Sequence, residues 1–78
     1  MLVKEARKGQ VFYECDGGRC VRYVAKHDPV AINAADSDVI AGYELVATNN
    51  AGKEVDFYQA EGYTCYPRLY SGTEGGLV

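Results

Sequence analysis

The stretch from residue 41 to residue 59 is AGYELVATNNAGKEVDFYQ, and its pattern decides the fold. Apolar and polar side chains alternate on both sides of a central turn, which is typical of two antiparallel strands with one buried face. The loop of residues 50–52 ends in glycine and suits a type I turn followed by a residue in the left-handed region. Such a turn places Leu45 opposite Phe57, so the apolar faces of the two strands coincide. The stretch therefore predicts a β-hairpin.

An earlier hairpin is predicted over residues 10–26, which are rich in β-branched and aromatic side chains. Gly17 and Gly18 can supply the two positive φ values of a type I′ turn. This turn places Cys15 opposite Cys20. Both faces of the hairpin are partly apolar, which favours a small curled sheet or barrel over a flat sheet with one solvated face.

The remaining segments are less regular. Residues 63–70 predict a last strand, which Pro67 restricts to a sheet edge because proline cannot donate a ladder hydrogen bond. Residues 2–8 suit either one short helix or a first strand. Residues 29–36 begin at a proline that follows an aspartate, and they suit either a short helix or a loop. We expect a flexible tail over residues 71–78.

Together these elements predict a mainly β fold in one domain over residues 1–70. Its architecture would be a small curled antiparallel meander or an SH3-like open barrel of four or five strands, with the short helix as an option. The likeness to SH3 domains is one of architecture and not of sequence. A chain of 78 residues is enough for one such domain, and its core is thin.

Composition excludes several classes of protein. The chain is 47% hydrophobic with a net charge of −3, which is too apolar and too weakly charged for a disordered protein. No stretch approaches the roughly 20 apolar residues of a membrane-spanning helix. The N-terminal residues lack the apolar run of a signal peptide, and three cysteines are too few for a disulfide scaffold. We therefore expect a cytoplasmic protein with free thiols, although the facing positions of Cys15 and Cys20 would permit a disulfide in oxidising conditions.

Residues able to carry catalysis or bind a metal are sparse. The sequence has one histidine, His27, and a domain this small has little material for a deep cleft, so we expect no enzyme. Cys15, Cys20, His27 and Cys65 contain one loose cysteine pair, whereas structural zinc sites usually have two tight pairs. We predict neither a metal nor another cofactor.

Charge is divided unevenly along the chain. Residues 1–26 carry six basic and three acidic side chains, whereas residues 27–78 carry two basic and eight acidic ones. In the register of the later hairpin, four residues share its outward face: Glu44, Glu54, Asp56 and Tyr58. Carboxylates steer association with positive surfaces, and tyrosine is frequent among the residues that dominate binding energy. We predict that this face binds a partner protein with a basic surface.

Two functional hypotheses follow. The first is a small non-enzymatic protein-interaction module, monomeric or weakly dimeric, whose size and acidity suit a phage or mobile-element inhibitor of a host nucleic-acid-handling machine. The alternative is a nucleic-acid-binding small β-barrel, in which tyrosine stacks on bases and basic side chains follow the phosphates. Its candidate residues, all on the earlier hairpin, are Tyr13, Arg19, Arg22 and Lys26. The net negative charge opposes this alternative, because non-specific nucleic-acid binders are usually basic.

Overall fold

A computed structural model describes residues 1–64 and 66–71. It confirms a mainly β fold, a small antiparallel sheet that is not closed into a barrel. The described residues form six strands, where the sequence predicts four or five, and one turn of 3-10 helix. In chain order the elements are the 3-10 turn Val3–Glu5, β1 Val11–Asp16, β2 Arg19–Ala25, β3 Val30–Asn33, β4 Ile40–Asn49, β5 Glu54–Ala60 and β6 Leu69–Ser71.

Both predicted hairpins are confirmed, including their registers. In the β1–β2 hairpin, Cys15 lies opposite Cys20, and the turn is made by two glycines at positive φ, as a type I′ turn requires. In the β4–β5 hairpin, Leu45 lies opposite Phe57, and Gly52 ends the turn at a φ of 80°. Local turn residues therefore set the register of both strand pairs.

β4 is the longest strand, and it organises the sheet. β5 pairs with one edge of β4, while the other edge is shared by β2, opposite residues 47–49, and β3, opposite residues 40–44. β1 pairs with the second edge of β2, and β6 pairs with β1. The order across the sheet is thus β6-β1-β2-β4-β5, with β3 beside the part of β4 that β2 does not reach.

The structure corrects the prediction for residues 29–36, which form neither a helix nor a simple loop. Val30–Asn33 is a strand that pairs with β4. Because β4 extends beyond β2, its unpaired edge offers hydrogen bonds to the chain that follows β2, and this pairing overrides a weak local preference for helix. Residues 2–8 contain only the 3-10 turn Val3–Glu5, so they are neither a full helix nor a strand.

The last predicted strand is shorter than residues 63–70. β6 begins only at Leu69 and continues to Ser71, at the edge of the sheet beside β1. Pro67 lies just before this edge strand, where its lack of an N–H costs no ladder hydrogen bond. Ser71 therefore belongs to the sheet, and the rest of the predicted tail, residues 72–78, lies outside the described residues.

The core lies on one face of the sheet, around three aromatic rings. Phe12 stacks on Tyr23 with the ring centroids 5.7 Å apart, and Phe57 meets both rings edge-on at 5.4 and 4.9 Å. Burial, and secondly the charge of Glu14, raises the pKa of the Tyr23 hydroxyl above its usual 10.0, so this ring enters the core uncharged. The other buried apolar residues are Val3, Ala6, Ala25, Leu45, Ala47 and Leu69.

Because the sheet is not closed, a gap separates β5 from the segment before β6. Gln59 spans this gap on its inner side. Its side chain is buried, with 5% of the residue exposed. The Oε1 atom accepts a hydrogen bond from the Val3 N–H at 2.9 Å, and the Nε2 atom donates to the Tyr66 carbonyl at 2.8 Å. The amino group of Met1 donates to the Leu69 carbonyl at 2.7 Å. These bonds hold the N-terminal segment between the two edges of the open sheet.

Replacing Gln59 with leucine should lower the free energy of unfolding by about 2 kcal/mol, because the Val3 N–H and the Tyr66 carbonyl lose their partners. Urea unfolding followed by circular dichroism measures the change. Lys53→Gln in an exposed turn is the control and should change stability by less than about 0.5 kcal/mol. A Gln59→Leu protein as stable as the wild type would show that the N-terminal segment is held without this side chain.

Candidate functional site

The four residues predicted to form an acidic face lie together in the structure, and we call them the acidic strip: Glu44, Glu54, Asp56 and Tyr58. The three residues from β5 follow one another along its outward side, and all three are exposed. Glu44 is half-buried and lies directly opposite Tyr58 on β4. The register therefore places these side chains as predicted, and their role in binding stays a prediction.

One carboxylate of the acidic strip is already ion-paired within the protein. Lys26 Nζ, just beyond the end of β2, donates a hydrogen bond to Glu54 Oε2. Both side chains are about half exposed, so the pair contributes little to stability. Its main effect is electrostatic, because it neutralises one end of the strip. Lys26 is also a candidate residue of the nucleic-acid alternative, so the two candidate surfaces meet at this pair.

Tyr13 and Arg22 lie on the same outward face of the neighbouring strands, whereas the alternation along β2 puts Arg19 on the face of the buried Tyr23. Tyr13 lies opposite Arg22 on β2 and opposite Tyr70 on β6. The Arg22 Nη1 atom donates to an asparagine side chain in the β4–β5 turn at 3.4 Å. Arg19 lies opposite an aspartate at the tip of the β1–β2 hairpin. Arg22 and Lys26 are therefore engaged within the protein, while Tyr13 has another tyrosine, Tyr70, as its neighbour across the strands.

A groove beside the acidic strip was not foreseen from the sequence. It encloses about 810 Å³ and is lined by residues from β5, from the end of β1 and from the segment before β6. Its walls include three exposed tyrosines, Tyr58, Tyr63 and Tyr66, which are 48%, 60% and 62% exposed. Glu14 and Asp16 line it from β1. We call this feature the tyrosine groove.

Tyr63 and Tyr66 escaped the sequence analysis because it placed both in a regular strand. The chain instead turns away from the sheet at Gly62, which has a φ of 88°, and rejoins it only at β6. The guanidinium of Arg68 lies over the Tyr66 ring, 5.5 Å from its centroid. The signal in the sequence was Pro67, which cannot continue a paired strand and which marks this segment as a loop.

Tyr58 belongs to both surfaces and also covers a glycine on β4. A Cβ atom at Gly42 would lie 2.5 Å from the Tyr58 hydroxyl oxygen and 2.6 Å from the Gln59 carbonyl oxygen, so only glycine fits beneath the ring. The Tyr58 hydroxyl donates to the Ala41 carbonyl at 3.3 Å. Tyr58 therefore has a structural role in addition to its exposed position.

Cys15 and Cys20 form a disulfide bond, so the expectation of free thiols is wrong for this pair. The predicted register explains the contact, because the two residues face each other across the hairpin with their Cα atoms 4.0 Å apart. In this form neither sulfur is a thiolate, which both nucleophilic attack and metal binding require. Cys65, the third cysteine, lies outside the described residues.

His27 uses both of its ring nitrogens within the fold. Its Nε2 atom accepts a hydrogen bond from the Val46 N–H at 3.2 Å, and its Nδ1 atom lies 2.6 Å from the Asp28 carbonyl oxygen. This pattern corresponds to the tautomer protonated on Nδ1, which donates to the carbonyl. Among the described residues, no three histidine, cysteine or acidic side chains lie close enough together to hold a metal ion.

The chain matches no protein-family model, and no similar protein is found among curated proteins or solved structures. In residues 1–64 and 66–71, no helix has the length and apolar character needed to cross a membrane. Inference about function therefore rests on the geometry of the acidic strip and the tyrosine groove.

Tyr58→Ala and Tyr63→Ala make the same change at two positions of the tyrosine groove. Tyr58→Ala should lower the free energy of unfolding by about 1–2 kcal/mol, because it uncovers Gly42 and removes a cross-strand contact. Tyr63→Ala should change it by less than about 0.5 kcal/mol, since this side chain is mostly exposed. Urea unfolding measures both. Equal losses would mean that Tyr63 serves the fold as much as Tyr58 does.

Proposed function

We propose that the protein is a small non-enzymatic interaction module that binds a partner protein with a basic surface. The observation that carries this proposal is the continuity of two exposed surfaces. Tyr58 is a member of the acidic strip and at the same time lines the tyrosine groove. Carboxylates and exposed aromatic rings therefore lie side by side at the β5 edge of the sheet.

The tyrosines would supply most of the binding energy. Tyr63 and Tyr66 are more than half exposed, so a partner that covers them removes apolar ring surface from water. Their hydroxyls remain able to form hydrogen bonds at the rim of the contact. Tyrosine has few rotatable bonds and loses little conformational entropy on binding, which makes it an effective anchor in an interface.

The carboxylates would orient the partner and increase its rate of association. Asp56 is exposed and makes none of the ion pairs found among the described residues. Glu14 and Asp16 place two further negative charges along the tyrosine groove, against the one positive charge of Arg68. A basic partner surface is attracted to such an arrangement, and the attraction weakens as added salt screens it.

A basic surface is typical of proteins that bind nucleic acid. We therefore also propose that the protein is a phage or mobile-element inhibitor that covers the nucleic-acid-binding surface of a host machine in the cytoplasm. The size and charge distribution of the chain support this statement. The partner itself is defined by its positive charge.

The nucleic-acid alternative has weaker support from the same geometry. Lys26 is paired with Glu54, and Arg22 is hydrogen-bonded within the protein. The acidic strip borders Lys26 through Glu54, and its carboxylates would repel a phosphate backbone that reaches this lysine. Tyr13, which lies opposite Tyr70, retains a ring on which a base would stack, so competition by an oligonucleotide tests this alternative.

Asp56→Lys and Arg22→Glu each reverse one charge, the first on the acidic strip and the second on the basic strand. Partners captured by the immobilised wild-type protein from an extract of the source cells are purified and titrated against each variant. Asp56→Lys should weaken binding at least about tenfold, because it replaces attraction by repulsion. Arg22→Glu should leave the affinity within about threefold, as expected for a charge at the rim.

Val39→Ala serves as the control, because it shortens an exposed apolar side chain that does not line the tyrosine groove. If Arg22→Glu abolishes binding and a labelled single-stranded oligonucleotide competes with the captured partner, the nucleic-acid alternative is correct. If neither charge reversal changes any binding, the two surfaces are ordinary solvated faces and the proposal is wrong.

A further inference from the structure

Within residues 1–64 and 66–71, β5 is paired along only one of its two edges, the edge beside β4. Hydrogen bonds from the Asn49 N–H to the Lys53 carbonyl and from the Glu61 N–H to the Ala41 carbonyl flank the β4–β5 ladder. In an antiparallel pair, hydrogen-bonded and non-hydrogen-bonded residue pairs alternate. Val55, Phe57 and Gln59 therefore direct their backbone groups towards β4.

The residues between them direct their backbone groups the other way. The N–H and carbonyl groups of Glu54, Asp56 and Tyr58 point to the outer edge of β5, and within the described part of the chain no backbone or side-chain group pairs with them. The Ala60 carbonyl, next along this edge, accepts a hydrogen bond from the Tyr63 N–H. The open edge is therefore three alternate residues long, and it ends at the tyrosine groove.

The side chains at this edge determine what can pair with it. Glu54, Asp56 and Tyr58 are all exposed on the outward face, so the residues with unpaired backbone groups are those that carry the acidic strip. A second copy paired antiparallel about Asp56 would place two Asp56 side chains opposite each other, which is unfavourable. Such charges at a sheet edge oppose pairing between identical edges. They complement a strand with positively charged side chains.

The inward side of β5 adds an apolar requirement. Val55 is half-buried against the core, and Phe57 beside it is buried. A strand added to this edge alternates its own side chains between the two faces. Its outward residues would meet the acidic strip and its inward residues would extend the apolar face at Val55. The complementary sequence therefore alternates basic and apolar residues.

We propose that the partner binds as an added antiparallel β-strand along the outer edge of β5, with lysine or arginine at alternate positions. This inference rests on the proposed function, and it specifies how the acidic strip is engaged. The added strand pairs its backbone with Glu54, Asp56 and Tyr58 and sets basic side chains beside the carboxylates of Glu54 and Asp56. Beyond Tyr58 its chain continues into the tyrosine groove, where Tyr63 and Tyr66 contact it.

A short peptide of alternating lysine and valine, capped at both ends, is the probe. In the added strand the lysines lie opposite Glu54, Asp56 and Tyr58, so the lysine N–H groups donate to β5 while the valine N–H groups point to solvent. Two isomers of the peptide separate these roles. One is N-methylated on its lysine amides, and the other is N-methylated on the same number of valine amides, with equal composition and charge.

The peptides are titrated into the full-length protein and followed by backbone amide chemical shifts. The lysine-methylated isomer should bind at least about tenfold more weakly than the valine-methylated isomer, because only it loses hydrogen bonds to β5. The shifts of the Glu54, Asp56 and Tyr58 amides should change most. The protein is unaltered in both arms, so a folding defect cannot produce the difference.

Equal affinity of the two isomers would overturn strand addition. If the unmethylated peptide still binds in that case, and Asp56→Lys removes the binding, the acidic strip attracts basic partners through charge alone and the proposed function stands. Failure of the unmethylated peptide to bind would also overturn strand addition. A matched peptide of alternating glutamate and valine controls for non-specific strand pairing and should not bind.

Discussion

The side-chain amide of Gln59 holds the open sheet together from its inner side. An open sheet in a domain this small leaves its thin core exposed where the edges fail to meet. Gln59 spans this gap with hydrogen bonds to the backbones of Val3 and Tyr66. The N-terminal segment is thereby held against the sheet, and Val3 and Ala6 complete the core around the three aromatic rings. Gln59 bridges the gap on the inner side of the sheet, while no other described residue pairs with the outer backbone edge of β5.

The two-residue period of a strand links this core to the candidate site. Phe57 and Gln59 point inward, whereas Asp56 and Tyr58 point outward and also present their backbone groups at the free edge. A slip of one residue in the β4–β5 register would bury Asp56 and expose Phe57. The packing that stabilises the fold therefore also sets which charges lie on the surface and which amides are free to pair.

The sequence allowed the hairpins and the acidic strip to be predicted, because both depend on turn residues and alternation within a short stretch. It did not allow β3 to be predicted. Val30–Asn33 is extended because it pairs with residues 40–44 of β4, and nothing within the four residues themselves indicates this pairing. The Lys26–Glu54 pair could not be predicted either, because it joins residues that are far apart along the chain. The Cys15–Cys20 pairing followed from the turn, whereas its oxidation state depends on redox conditions that spacing does not encode.

Amide hydrogen exchange along β5 in the free protein shows whether the outer edge of this strand is unpaired, because each residue reports the direction of its own N–H. We expect an alternation: the amides of Val55, Phe57 and Gln59 exchange slowly, and those of Glu54, Asp56 and Tyr58 exchange nearly as fast as in an unfolded chain. Uniform protection of all six amides would contradict the account, since it would mean that the outer edge of β5 is already paired in solution.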